Sequence, residues 1–273
     1  MSYATTNDGC RLHWIEKGAG RPVLLIHGYI SDIERNWRSP GWIEALTKGG
    51  FRVIAYDQRG HGKSDKRYDP TDYAPARLLE DACTVLDAAS VEQAIIIGYS
   101  MGARIALHLG LFRPERGIAL VLGGIGKDFP DFGGPEPDRE VVARALEADD
   151  RAEIPESARG YRTFAKRGGA DLKAMAACYR QLRRRITPQE LAKIFLPTLL
   201  LVGELDGIAG DAEPLARAIP GAKLVKITGK DHMKAVGAKE SRAAVLAFLE
   251  DLKGVGRSQR ATSRRKKFPD RAP

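Results

Sequence analysis

IIIGYSMGAR, residues 95–104, passes from an apolar run through a serine set between two glycines and straight into helix-forming sequence, with no loop between. On so sharp a strand-to-helix turn the serine takes a strained backbone conformation, and side chains two residues to either side would collide. Gly98 and Gly102 remove that collision because they carry no Cβ. The turn lifts the Ser100 hydroxyl above the end of the strand. It also places the serine at a helix N-terminus, where unpaired N–H groups and the positive dipole end favour developing negative charge. Gly98-Tyr99-Ser100-Met101-Gly102 therefore reads as G-x-S-x-G in the strand–turn–helix context that a nucleophilic serine requires.

Working outward, five further runs resemble IIIGY: PVLLIHG, FRVIAYD, GIALVLGG, PTLLLVGE and AKLVKIT. They are short and mostly apolar, as parallel strands covered on both faces are, whereas LHWIE (residues 12–16) alternates like an early antiparallel strand. Helical patterns lie between them: WIEALTKGG, ARLLEDACTVLDAA, MGARIALHLGLFRP and ESRAAVLAFLEDLK. Alternation of strand and helix predicts an α/β protein, a doubly wound, mostly parallel sheet. Between Gly123 and Leu196 the rhythm breaks. A Pro/Gly-rich entrance, GKDFPDFGGPEPD, leads into helical stretches near 138–149, 156–167, 171–185 and 188–195, too long for a loop and too short to fold alone. This predicts a core of residues 1–122 and 196–253 with a helical cap, 123–195, inserted over the C-terminal edge of the sheet, where α/β ligand crevices lie.

The charge of +9 is concentrated at one end of the chain. Residues 254–273 hold seven basic side chains against Asp270, which leaves +3 for the preceding 253 residues. The segment is expected to be a solvated, disordered basic tail, with weak polyanion binding as the alternative; no nucleic acid is required as a partner. Cys10, Cys83 and Cys178 are far apart and form no CxxC pair, so neither a disulfide framework nor a metal site is expected. The N-terminus has no signal-peptide pattern and no run reaches the ~20 apolar residues of a membrane span, so no membrane association and a cytoplasmic location are expected. DQRGHGKSD (57–65) mixes glycines with Arg59 and Lys63 but lacks the G-x-x-x-x-G-K-[ST] frame, and GGIGKDFPDFGG lacks G-x-G-x-x-G in the right place. No cofactor is expected. YRQLRRRIT (179–187) shares the cap with Glu147, Asp149, Asp150, Glu153 and Glu156, so a mixed-charge surface is the plainer reading beside an acidic-substrate site. Tyr161, Phe164, Met175 and Tyr179 are pocket or packing residues of the cap.

Taken in order, LLIHGY (24–29), DQRGHGKSD, GYSMGA (98–103), LLLVGELD and GKDHM resemble the α/β-hydrolase family over about residues 3–253. The resemblance implies a serine nucleophile, Ser100, with His232 as its base. Among five histidines, His13 lies in a strand, His27 in the His-Gly turn, His61 in the RGHG loop and His108 along the helix after Ser100. His232, between the last strand and the terminal helix, sits where the family carries its catalytic histidine. A neutral imidazole, which in free form titrates near pH 6.5, can take the serine proton and return it to a leaving group. Asp206 resembles the family's usual orienting acid; Asp128 is the alternative, because some relatives place the acid after the preceding strand. Asp57 reads as a loop-fixing acceptor, and Asp231 is too close to His232 in sequence. The family further implies an oxyanion hole from the backbone N–H groups of Tyr29 and Met101, with the Tyr29 ring or hydroxyl as a pocket wall or a substrate contact.

A serine argues against the aspartate chemistry of relatives that open epoxides or remove halides, and against the cysteine of dienelactone-type relatives. The expectation is an acyl-enzyme hydrolase of a small carboxylic ester, thioester or lactone. Carbon–carbon bond hydrolysis or perhydrolysis by the same triad, and a ligand receptor on a hydrolase fold, are the alternatives.

Overall fold

The computed structural model describes residues 2–127, 138–181 and 186–265. Its elements, in chain order, are β1 (Ser2–Thr5), β2 (Arg11–Lys17), β3 (Arg21–Ile26), α1 (Trp42–Lys48), β4 (Phe51–Tyr56), α2 (Pro75–Ala88), β5 (Ala94–Tyr99), α3 (Met101–Phe112) and β6 (Gly117–Gly123). Then follow α4 (Arg139–Glu147), α5 (Glu156–Arg167), α6 (Leu172–Arg180), α7 (Pro188–Leu191), β7 (Thr198–Gly203), α8 (Glu213–Ala218), β8 (Lys223–Ile227), α9 (His232–Gly237) and α10 (Lys239–Arg265).

The strands form one eight-stranded sheet in the order β1-β2-β4-β3-β5-β6-β7-β8, with β1 and β2 antiparallel and the rest parallel. The six parallel strands are those expected from their apolar runs. Alternate residues face opposite ways, so each strand feeds two cores. Leu24, Ile26 and Ile96 pack with α2 and α3 on one face; Val23, Leu25, Ile95 and Ile97 pack with α1 and α10 on the other. Every residue of β5 is buried, and each of its isoleucines contributes roughly 1.5–3 kcal/mol by leaving water.

β4 lies on one side of β3 and β5 on the other, in register Val23↔Ile95 through Ile26↔Gly98. The winding direction of the sheet therefore reverses between β3 and β5, which opens a crevice beyond their C-terminal ends. The loops leaving those two strands carry Tyr29 and Ser100.

Helices α4, α5 and α6 enclose an apolar cluster of their own, including Val142, Leu146, Ala158, Ala165 and Met175, and close it against Ile30 from the core. α4 and α5 match their expected positions closely. α6 ends at Arg180 and α7 is a single turn, shorter than the 171–185 and 188–195 stretches. After α6, residues 182–185 lie outside the described set, as does Asp128.

The basic C-terminal segment differs from expectation. The folded body was expected to end at Lys253, yet α10 continues to Arg265. Its first half is fixed by Val245, Phe248 and Leu249 in the core, so the helix is already nucleated and adds further residues at the small cost of propagation. Residues 266–273 lie outside the described set. β1, α8 and α9 are also additions to the expected order.

Candidate active site

Ser100 is the residue between β5 and α3, with φ 53° and ψ −115°, a conformation that non-glycine residues rarely adopt. Its N–H donates to the Gly123 carbonyl (2.8 Å), and its carbonyl accepts from Ala103 and Arg104 in the first turn of α3. The flanking glycines are sterically required. A Cβ on Gly98 would stand 2.2 Å from the Gly102 carbonyl oxygen, and one on Gly102 would stand 2.0 Å from the Ile26 carbonyl oxygen. Met101 is the first residue of α3, so its N–H has no acceptor in a preceding helical turn.

Asp206 and His232 meet although they are separated by 26 residues. Asp206 follows β7 and His232 begins α9; His232 Nδ1 lies 2.8 Å from Asp206 Oδ2. The other carboxylate oxygen accepts from the N–H groups of Ile208 (3.1 Å) and Ala209 (2.8 Å). An ionised carboxylate only accepts, so Nδ1 carries the proton and Nε2 keeps its lone pair. The Asp206 side chain is fully buried and that of His232 is 10 % exposed, so the imidazole keeps a small accessible edge.

Tyr99 joins His232 to the serine turn, a contact that the sequence reading missed. Its hydroxyl donates to the His232 carbonyl (2.5 Å), and its ring centroid lies 5.3 Å from the imidazole. Gly124, at φ 64°, makes room for both: a Cβ there would stand 2.8 Å from the Tyr99 ring and 3.0 Å from His232 Cε1. The signal of Gly124 in the sequence is the doubled glycine, Gly123-Gly124, at the end of β6.

The turn after β3 lies against the serine. A Cβ on Gly28 would come 3.4 Å from Ser100 Cβ. The Gly28 N–H donates to Asn36 Oδ1 (2.9 Å), and His27 Nδ1 lies 2.7 Å from the Gly28 carbonyl oxygen while His27 Nε2 accepts from the Gln58 N–H (3.0 Å). Ile30 stands at φ 56° and its N–H donates to His61 Nε2 (3.3 Å), with His61 Nδ1 2.9 Å from the Arg59 carbonyl oxygen. Both imidazoles thus serve as neutral bridges. Burial lowers the His27 pKa below its usual value and, helped by the neighbouring His27, brings that of His61 down to about 3.

DQRGHGKSD is a braced loop behind this turn. Asp57 accepts from His13 Nδ1 (2.8 Å) and from the N–H groups of Ile33 and Lys63 (both 2.9 Å), so it is occupied away from His232. Lys66 Nζ donates to the carbonyls of His61, Gly62 and Ser64 (3.1, 2.7 and 2.7 Å), using all three of its protons. Asp231 caps α9 through the Lys234 N–H. In the cap, Arg180 pairs with Glu140 and Glu147. Met175 is buried, Phe164 is exposed, and the rings of Tyr29, Tyr179 and Tyr161 follow one another at 5.3 and 5.2 Å. Among the described residues no cluster of His, Cys, Asp or Glu suits a metal ion, and no helix is long and apolar enough to cross a membrane.

A strained serine elbow beside the β3–β5 reversal and a carboxylate-held histidine beyond β7 and β8 go with the fold class: this chain has the α/β-hydrolase fold. The family model for the alpha/beta hydrolase fold matches residues 21–144. Bifunctional epoxide hydrolase 2 of Rattus norvegicus is 36% identical over 114 residues, which are 42% of this chain. The match spans about a fifth of that relative's length (20%). Among solved structures, a hydrolase from Pseudomonas aeruginosa PA01 is similar with a TM-score of 0.75 and 28% identity, covering 91% of this chain and 97% of that one. A bromoperoxidase from Bacillus anthracis is similar with a TM-score of 0.73 and 26% identity, covering 91% and 99%.

Proposed function

We propose that the protein is a serine hydrolase that cleaves a carboxylic ester, thioester or lactone through an acyl-enzyme. The observation that carries this reading is the His232–Asp206 hydrogen bond, which leaves Nε2 as the basic nitrogen in a site that also contains an elbow serine. Ser100 Oγ attacks the carbonyl carbon as His232 Nε2 takes its proton. Negative charge on the carbonyl oxygen is received by the N–H groups of Tyr29 and Met101, and the positive end of α3 adds to it. The tetrahedral species collapses as His232 passes the proton to the leaving oxygen or sulfur. Water, deprotonated by the same nitrogen, then attacks acyl-Ser100 and frees the acid.

The similarity to an epoxide hydrolase supports a hydrolytic site but not its substrate. A carboxylate that opens an epoxide forms an ester that water can cleave, whereas a serine oxygen would form an ether that water would not. Serine therefore favours carbonyl substrates.

Wild-type protein is expected to hydrolyse short p-nitrophenyl esters and to react with a fluorophosphonate at Ser100. Folded protein that did neither would leave a binding role on the same fold. The similarity to a bromoperoxidase favours a second reading, in which hydrogen peroxide replaces water as the acceptor for the acyl group. Peracid formation from acetate and peroxide would distinguish it.

A further inference from the structure

Both residues whose amides face the oxyanion in the proposed reaction are also held through their side chains by one cap helix, α6. The Tyr29 hydroxyl donates to the Met175 carbonyl (2.7 Å), and its ring lies 5.3 Å from that of Tyr179. Cys178 Sγ lies 3.8 Å from Met101 Sδ. Met175, Cys178 and Tyr179 are all on α6. From the core side the same turn is held by His61, whose Nε2 accepts the Ile30 N–H (3.3 Å), the amide immediately after that of Tyr29. Ile30 itself enters the cap's apolar cluster at φ 56°, a conformation a β-branched side chain adopts only when its surroundings impose it.

We infer that Tyr29 and His61 are positioning residues that couple docking of the cap to formation of the oxyanion hole. The Tyr29 hydroxyl clamps the turn to α6, His61 clamps it to the RGHG loop, and the Tyr29 N–H points at the oxyanion only while both clamps hold. With the cap displaced, Ile30 loses the apolar surroundings that hold it in its strained conformation and the turn relaxes. A substrate that holds the cap down thus builds the donor that its own transition state needs. This rests on the acyl-enzyme reading above.

The test begins with wild-type turnover of p-nitrophenyl butyrate, and with inhibition by a trifluoromethyl ketone, whose hemiketal oxygen occupies the oxyanion position. In Tyr29→Phe the ring stays and the clamp is lost. Its kcat is expected to fall about tenfold to hundredfold with KM within twofold, and trifluoromethyl ketone affinity to fall by the same factor. His61→Ala should show the same split, and His61→Gln, whose side-chain oxygen can accept the Ile30 N–H, should recover a large part of it. Melting temperature controls for misfolding. If His61→Ala does not fold, Tyr29→Phe alone decides. An active wild type with Tyr29→Phe unchanged in both kcat and ketone affinity overturns the coupling and leaves the hydrolase reading standing. A fall in KM and kcat that leaves ketone affinity unchanged also overturns it, because the hydroxyl would then act on ground-state binding. A wild type without turnover or fluorophosphonate labelling overturns the hydrolase reading, and the coupling with it.

Discussion

Ser100 relies on neighbours that have no reactive group. Gly98 and Gly102 clear its turn, Gly124 clears the Tyr99 ring, and the Tyr99 hydroxyl fixes the backbone of His232. Ser100→Ala and His232→Ala are each expected to lower kcat by on the order of 10⁴–10⁶, and the double variant to be little worse than either, in ester hydrolysis followed by absorbance. Asp206→Asn should cost less. It keeps an oxygen for the Ile208 and Ala209 amides but can turn an N–H toward His232 Nδ1; retained full activity would point to another acid. The buried histidines set a separate pH effect, on stability. The folded-state pKa of His61 is near 3, below its unfolded value, so between about pH 6.5 and 3 the unfolded chain binds the extra proton and acidification favours unfolding. Denaturant midpoints should fall as pH drops through that window, with a gentler slope in His61→Gln.

At the scale of elements, the β5–α3 unit was legible because one apolar run and two glycines specify strand, turn and helix together. The same holds for the other parallel strands, whose continuous apolar runs match burial on both faces. β1 was not legible: of its four residues only Ala4 is buried, and an edge strand so short leaves no period to read. α8 and α9 are six residues each, below the length at which helical spacing repeats. Asp206 and His232 were legible from the order of motifs around them. The Tyr99–His232 and Tyr29–Met175 bonds join residues 133 and 146 positions apart and follow only from the sheet order and the cap's seating, which no local pattern encodes. The Arg59–Asp81 pair is of the same kind. Arg59 Nε and Nη2 each lie 2.7 Å from an Asp81 oxygen, both side chains are buried, and Asp8 adds a second carboxylate at 2.9 Å. Asp81→Ala leaves the buried guanidinium with only Asp8 and the Asp72 carbonyl as partners and should cost about 3–5 kcal/mol in urea unfolding, with little change in kcat for the folded fraction.

At the scale of the molecule, the excess positive charge is carried by residues 254–273, which follow the α10 residues Val245, Phe248 and Leu249 of the core. The opening between β3 and β5 lies in the core, so the catalytic reading does not require the last twenty residues. A chain ending at Lys253 is expected to keep kcat/KM within about twofold while losing salt-sensitive retention on heparin, since that retention scales with the number of anions neutralised. A large loss of turnover would show that the basic end takes part in the site. The burial of all three thiols separates motions of the two layers. Cys10 and Cys83 are buried between β1 and β2 and on α2, whereas Cys178 is on α6 against Met101, where the cap meets the core. Alkylation under native conditions therefore serves as a clock with two hands: the rate at Cys178 times the opening of the cap, and the rates at Cys10 and Cys83 time unfolding of the sheet that carries it.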